Sequence, residues 1–222
     1  MPDNASSFNS NEYDSHITSV LPYYREYCGQ IIDLVNATGK KDIKWLDTGC
    51  GTGTLPLRVL AERDDVKFTL CDPSQKMLEE AKQKLHGRAI DFINKSSQEL
   101  DFESEFDVVT AVQCHHYLHP EERRVAVTNC YNALREGGVF VAFENVKMTT
   151  NESEKIALQR WAKYQADHGR SEEEIKEHLC RRGVNMFPVT VEEHIKLLRE
   201  VGFKSVDILW TAYLQAGIWA IK

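Results

Sequence analysis

The chain predicts an α/β fold, a parallel sheet with helices on both faces that ends in a two-stranded hairpin. Three observations carry that expectation. Short apolar runs alternate with amphipathic helical stretches, the pattern of strands joined by crossover helices. Residues 43–53, Ile-Lys-Trp-Leu-Asp-Thr-Gly-Cys-Gly-Thr-Gly, end an apolar run in an acid and three alternating glycines. The C-terminal segment 205–222 holds two strand-like runs, Ser205–Trp210 and Gly217–Ile221, with a hairpin-length link between them.

Taken in order, residues 1–12 are polar and expected to be loose. Tyr13–Val35 has a helical spacing of apolar residues (Ile17, Leu21, Tyr24, Ile31, Leu34) that Pro22 interrupts. Ile43–Leu46 reads as a buried strand, and the glycine turn after it opens a helix through Leu55, Leu57 and Leu60. Val66–Cys71 is a second strand closed by Asp72. Ser74 can cap the next helix, with Met77, Leu78, Ala81 and Leu85 on one face and Gly87 at its end. Ala89–Ile93 and Phe106–Val112 are further strands. A helix over Leu118–Arg135 starts with Pro120 and two acids, and Gly137-Gly138 stop it before the strand Val139–Phe143.

Residues 150–185 break the alternation with two helical stretches, the second opened by Ser171-x-x-Glu174; Thr190-x-x-Glu193 caps a helix that ends at Gly202. The organisation expected is one domain over 1–222, with an N-terminal helical segment over 1–38 and a helical lid over 150–185.

Bulk composition narrows the function classes. The 222 residues carry a net charge of −7, which disfavours a general phosphate-binding surface, so direct nucleic-acid binding is not expected. No run approaches the roughly 20 apolar residues that span a bilayer, and no signal-peptide core is visible. The six cysteines are scattered without a C-x-x-C pair, as in a reducing cytoplasm, where the protein is expected to reside.

The glycine turn carries the chemistry. Alternating glycines let the backbone turn tightly and let a ligand touch it, since no Cβ intervenes. A dinucleotide would present a pyrophosphate there, which Asp47 would repel. The dinucleotide fingerprint also wants glycine where Thr54 stands. S-adenosylmethionine presents an ammonium and a sulfonium, both cations that Asp47 suits, and is the cofactor expected.

This layout, with Asp47-x-Gly49-x-Gly51-x-Gly53 and Asp72, resembles the class I S-adenosylmethionine-dependent methyltransferases over about residues 40–222. The resemblance implies a Rossmann-like, doubly wound, seven-stranded sheet, mostly parallel, with an antiparallel last strand. A narrower similarity, to the carboxy-S-adenosylmethionine synthase branch, lies in Leu118-His119-Pro120-Glu121-Glu122-Arg123, Val191-Glu192-Glu193-His194 and the segment 216–222, with Leu21-Pro22-Tyr23-Tyr24 near the start. Members of that branch combine S-adenosylmethionine with prephenate for tRNA wobble-uridine modification. The chain departs from it in two ways. Its glycine turn has the ordinary methyltransferase form, and Leu179 stands where that branch has an arginine for the added carboxylate, with Arg181 and Arg182 nearby.

By the resemblance, Asp47 and Gly49 hold the methionine end, Gly51 and Gly53 allow close approach, and Asp72 accepts both ribose hydroxyls. A helix-capping role is the plainer reading of either acid. Ser97 and Gln98 follow the third strand where adenine would lie. Gln113 ends the fourth strand at the ligand-binding rim, or is simply a polar strand end. Cys114-His115-His116-Tyr117 continue that rim. His116, or failing it His115, is the candidate base beside the transferred methyl group. A metal site at His115, His116 and His119 is the rival, but no tetrahedral set is complete, and no metal is expected. Tyr13, Tyr23 and Tyr24 can surround a sulfonium through cation–π attraction, and Tyr24 is taken as a cofactor residue. Glu144 and Asn145 face the same rim. Arg160, Trp161, Tyr164 and His168 belong to the lid.

The expectation is therefore a methyltransferase acting on a small-molecule acceptor by in-line displacement. The alternatives are the carboxy-transfer synthase, a nicotinamide-dependent oxidoreductase and a non-catalytic cofactor-binding regulatory protein. No membrane partner is expected, and a homodimer is left open.

Overall fold

The computed structural model describes residues 4–6 and 8–222. The expectation that residues 1–12 are loose falls partly outside them, at residues 1–3 and 7. Two helices, α1 (Tyr13–Val20) and α2 (Tyr24–Ala37), precede the first strand, β1 (Ile43–Thr48). Then come α3 (Thr54–Glu62), β2 (Val66–Cys71), α4 (Gln75–Lys84), β3 (Asp91–Ile93), β4 (Phe106–Val112), α5 (Pro120–Ala133) and β5 (Leu134–Asn145). The segment expected to be a lid folds as α6 (Asn151–Asp167) and α7 (Glu172–Leu179), and α8 (Val191–Val201), β6 (Ser205–Ala212) and β7 (Gln215–Ile221) follow.

The seven strands form one sheet in the order β3-β2-β1-β4-β5-β7-β6. The β3–β5 half is parallel, while β7 runs antiparallel to both β5 and β6. Both faces are covered, and the strands show it residue by residue. Ile43 and Trp45 join the core under α1, α2 and α3, whereas Leu46 joins the core under α5 and α8. Val139, Val141 and Phe143 face the first core and Phe140 and Ala142 the second, the two-residue period of a strand buried on both sides.

The caps read from the sequence form: the side-chain oxygens of Ser74, Ser171 and Thr190 accept from the backbone N–H groups of Met77, Glu174 and Glu193. The glycine pair behaves differently from the expectation. α5 ends at Ala133 and β5 begins at once at Leu134, so Gly137 and Gly138 lie inside the strand. Phe106 pairs with Leu134 but Val108 with Val139, which makes residues 135–138 a bulge. Gly137 takes the left-handed conformation there, so the pair extrudes extra residues rather than terminating a helix.

Candidate active site

The C-terminal ends of β1, β2 and β4 open into a cleft of about 310 Å³, lined by Tyr13, Gly49, Gly51, Asp72, Met77, Ser97, Gln98, Gln113, Cys114 and Tyr117, with residues 4–6 above. This is the place where an open α/β sheet binds ligands. A wider groove of about 850 Å³ beside α8 lies along Val146–Thr149, away from the glycine turn.

The three glycines divide their labour. Gly49 sits at φ 66°, and a Cβ on it would stand 2.4 Å from the Cβ of Cys114, so the rim passes directly over it. Gly51 sits at φ 55° beside open space, on the cleft wall. Gly53 was expected to admit the ligand; its missing Cβ instead faces Leu85 and Ala81 on and after α4. It lets that helix approach α3.

Asp47 is buried at 2% exposure and accepts a 2.6 Å hydrogen bond from the Thr110 hydroxyl, which in turn accepts from the Trp45 indole N–H at 2.9 Å. Burial pushes its carboxyl up to about 7, against the Thr110 bond that lowers it, and Asp72 adds to the rise. No cation of the chain offsets that charge among the bonds and ion pairs of the described residues. A buried carboxylate in that condition is matched to an external cation. Asp72 accepts from the backbone N–H of Gly51 at 2.9 Å and of Ser74 at 2.8 Å, one oxygen each. Each oxygen retains capacity for a diol hydroxyl. The donor set therefore fits S-adenosylmethionine: an acid for the ammonium, an open glycine, an acid for the ribose and an apolar Met77 beside it.

Ser97 and Gln98 line the cleft, but the Ser97 hydroxyl is held between Thr48 Oγ1 at 2.7 Å and His115 Nε2 at 3.1 Å. Gln113 takes the left-handed conformation at φ 56° at the end of β4, a strained backbone of the kind that clusters at functional sites. Tyr24 does not line the cleft. Tyr13 does, and Tyr24 lies behind it, hydrogen-bonded to it. Burial, with Cys28, Asp14 and Asp47 nearby, pushes the Tyr24 phenol upward. Tyr23 is 57% exposed and packs edge-on to Trp210.

His115 and His116 lie on a short 3-10 turn (His115–Tyr117) rather than on a continued strand. The tighter turn buries both and sends them apart. His115 faces Ser97 under the cleft floor, and burial, partly offset by Glu144, lowers it to about 4. A base held neutral below the floor does not meet an acceptor. His116 Nδ1 meets Glu144 Oε2 at 2.8 Å, and the backbone N–H groups of His116 and His115 donate to the same carboxylate at 2.9 and 3.2 Å. Burial raises the Glu144 carboxyl, but these bonds and the surrounding histidines outweigh it and hold it ionised. A carboxylate on Nδ1 fixes that nitrogen as the donor and leaves Nε2 as the base.

His116 lines a closed chamber of about 20 Å³ that shares Tyr13, Gln113 and Tyr117 with the cleft. Its other walls include Ile17, Val20, Leu21, Trp161, His178, Met186 and Asn145. Glu144, which the sequence places on the rim, meets His116 through the sheet. Its partner stands 28 residues earlier, and only sheet pairing brings the two together. Leu179 lines an outer groove with Ala162 and Ile175, not the cleft. Arg182 is engaged by Glu154 and Asn145, and the Arg181 guanidinium lies 5.8 Å from the Tyr117 ring. Among the described residues no group of three or more His, Cys, Asp or Glu side chains is arranged to hold a metal ion, and no helix is long and apolar enough to cross a membrane.

Known proteins share the fold. Residues 46–138 match the family described as a methyltransferase domain. The carboxy-S-adenosyl-L-methionine synthase of Helicobacter hepaticus is 29% identical over 90% of this chain and 89% of its own. That of Campylobacter lari is 26% identical over 88% of each. The magnesium protoporphyrin IX methyltransferase of Synechocystis, solved with bound S-adenosylmethionine, superposes with a TM-score of 0.63 at 15% identity, covering 90% of this chain and 79% of that one. Residues 46–138 thus match a methyltransferase domain, on a fold shared with S-adenosylmethionine-dependent methyltransferases. The likeness to the synthases runs through most of the chain, further than the short segments that suggested it.

Proposed function

We propose that the protein transfers the methyl group of S-adenosylmethionine to a small-molecule acceptor held in the chamber beside His116. The His116–Glu144 pair, whose histidine lines the chamber that shares Tyr13, Gln113 and Tyr117 with the cleft, carries this reading. Asp47 would hold the ammonium, Asp72 the ribose, and Ser97 and Gln98 the adenine end. The cofactor supplies a methyl carbon made electrophilic by its sulfonium, and the C–S bond electrons leave on sulfur as the acceptor's lone pair forms the new bond. His116 Nε2 takes the acceptor's proton as that lone pair is engaged, and Glu144 stabilises the resulting imidazolium. The roof of α1 and α6 excludes water, and alignment within the closed chamber supplies much of the acceleration.

A second reading, carboxy transfer from prephenate, is favoured by the names of the relatives. Leu179, an apolar side chain turned to an outer groove, stands against it. Incubation with S-adenosylmethionine and prephenate, followed by mass spectrometry of the cofactor, separates the two. A carboxylated cofactor would overturn methyl transfer. Its absence, together with S-adenosylhomocysteine released in step with a methylated acceptor from a metabolite pool, supports it.

A further inference from the structure

Asn145 and Gln215 face each other as cross-strand partners at the ends of β5 and β7, 2% and 1% exposed. The network around them fixes which way each amide points. Arg182 donates to Asn145 Oδ1. Gln113 Nε2 donates to the Phe143 carbonyl at 3.3 Å and to Gln215 Oε1 at 2.9 Å. Both carbonyl ends are therefore taken by donors, and both NH₂ groups are left over. Asn145 Nδ2 and Gln215 Nε2 are buried and find no hydrogen-bond partner among the described residues. A buried donor left unmade forfeits its hydration with nothing in return, so two side by side call for a ligand.

The place where they sit says which ligand. Asn145 lines the chamber with His116, and its backbone N–H lies 3.4 Å from His116 Nδ1. Arg182, the cation nearest to Asn145, is already paired with Glu154. The recognition offered is therefore neutral N–H donation, suited to a carbonyl or carboxylate oxygen. Tyr13, Tyr117 and Trp161 wall the chamber with rings. It shares Ser6, Tyr117 and His178 with an outer vestibule of about 630 Å³, where the Phe187 and His119 rings lie 3.8 Å apart, tilted by 31°. A flat molecule in the vestibule thus has only its polar edge to pass into the chamber, which admits that edge when the helices above it part.

We propose that Asn145, with Gln215 beside it, forms an oxygen-recognition subsite, and that the acceptor is a planar hydroxy compound with a carbonyl or carboxylate oxygen beside its reacting hydroxyl. The hydroxyl meets His116 Nε2 and the second oxygen meets the Asn145 amide. This rests on the methyl-transfer reading, but the subsite is tested by binding alone.

The probe set is 2-hydroxybenzoate, phenol and benzoate, titrated calorimetrically into the protein saturated with S-adenosylhomocysteine, where no turnover occurs. 2-Hydroxybenzoate should bind at least about 10-fold more tightly than either fragment, because a site built to hydrogen-bond an oxygen rejects a ligand without it. Asn145→Leu should erase that advantage. Asn145→Asp keeps the shape and the contact with Arg182 while replacing the donor by an acceptor. It should lose 2-hydroxybenzoate yet keep its affinity for S-adenosylhomocysteine and its melting temperature. No binding of 2-hydroxybenzoate, equal binding of phenol, or undiminished binding to the Asn145→Asp variant would each overturn the proposal. Tight, Asn145-dependent binding without methylation in the presence of S-adenosylmethionine would leave the subsite standing and sink the methyl-transfer reading instead.

Discussion

Asp47 sets the ionic behaviour of the cleft. Its folded-state value of about 7 lies above the ordinary 3.8, so the protonated form is favoured on folding. The corresponding stability is present below about pH 4 and is lost as pH rises through 7, by about 4 kcal/mol. A cationic ligand reverses the preference, because it needs the ionised carboxylate. Affinity for S-adenosylmethionine should therefore rise with pH across that window, while the melting temperature of the ligand-free protein falls. Asp47→Asn should flatten both trends, raise the ligand-free melting temperature at pH 8, and weaken the cofactor on the order of 100-fold. Thermal melts and titration calorimetry over the same pH series check all three. His116→Gln should slow turnover by about 10²- to 10⁴-fold with cofactor affinity unchanged, which single-turnover kinetics and calorimetry separate. The positions of both residues were legible in the sequence, since an acid before alternating glycines and a histidine after a strand end mark the rim of the sheet. What sets His116 apart from His115 was not legible. It depends on Glu144 across the sheet and on a 3-10 turn that no spacing in residues 114–117 signals.

Among the elements, the loop from β1 to α3 shows how far spacing alone could lead. It located the turn but gave Gly51 and Gly53 the same task, because clearance around a Cβ depends on elements far along the chain. Gly49 lies under Cys114, whose Cβ is held by the rim backbone, whereas Gly53 faces the movable Leu85 Cδ1 at 3.0 Å and Ala81 Cβ at 3.2 Å. Both alanine variants suffer the left-handed backbone, a cost on the order of 1 kcal/mol. Gly49→Ala adds a clash without an outlet and should lose about 2–4 kcal/mol in all. Gly53→Ala should lose less, and Gly49→Ala alone should also displace the rim and weaken the cofactor. Urea unfolding with titration of S-adenosylhomocysteine checks the order; the reverse order would mean that the α3–α4 contact is the stiffer one. The strands were the most readable elements, since buried apolar runs between turn residues leave few choices. The β5 bulge escaped because Gly-Gly after a helical run signals a stop, and a strand that begins before the stop leaves no mark in composition.

At the scale of the whole molecule, the N-terminal segment and the lid form one roof. The Trp161 indole N–H donates to the Val20 carbonyl at 2.7 Å, and the Tyr164 hydroxyl to that of Thr18 at 2.8 Å, so α6 holds the end of α1. The start of α1 is latched below: Asp14 accepts from the Thr52 and Thr54 hydroxyls at 2.7 and 3.2 Å and pairs with Lys84 on α4. A chamber of about 20 Å³ under this roof has room for about one water, so an acceptor enters only when the roof lifts. Since α1 is tied at both ends, lifting it must disturb α6 and the glycine turn together. Amide hydrogen exchange should show residues of α1 and α6 opening with a common free energy, lower than that of β1 and β4. S-adenosylhomocysteine should slow exchange in both helices, because the cleft and the chamber share Tyr13. Asp14→Ala breaks a half-exposed latch worth about 1 kcal/mol, so exchange should quicken roughly 5-fold in α1 and α6 alike and stay unchanged in the central strands. A response confined to α1 would show that the lid moves independently and that cofactor and acceptor enter by separate openings.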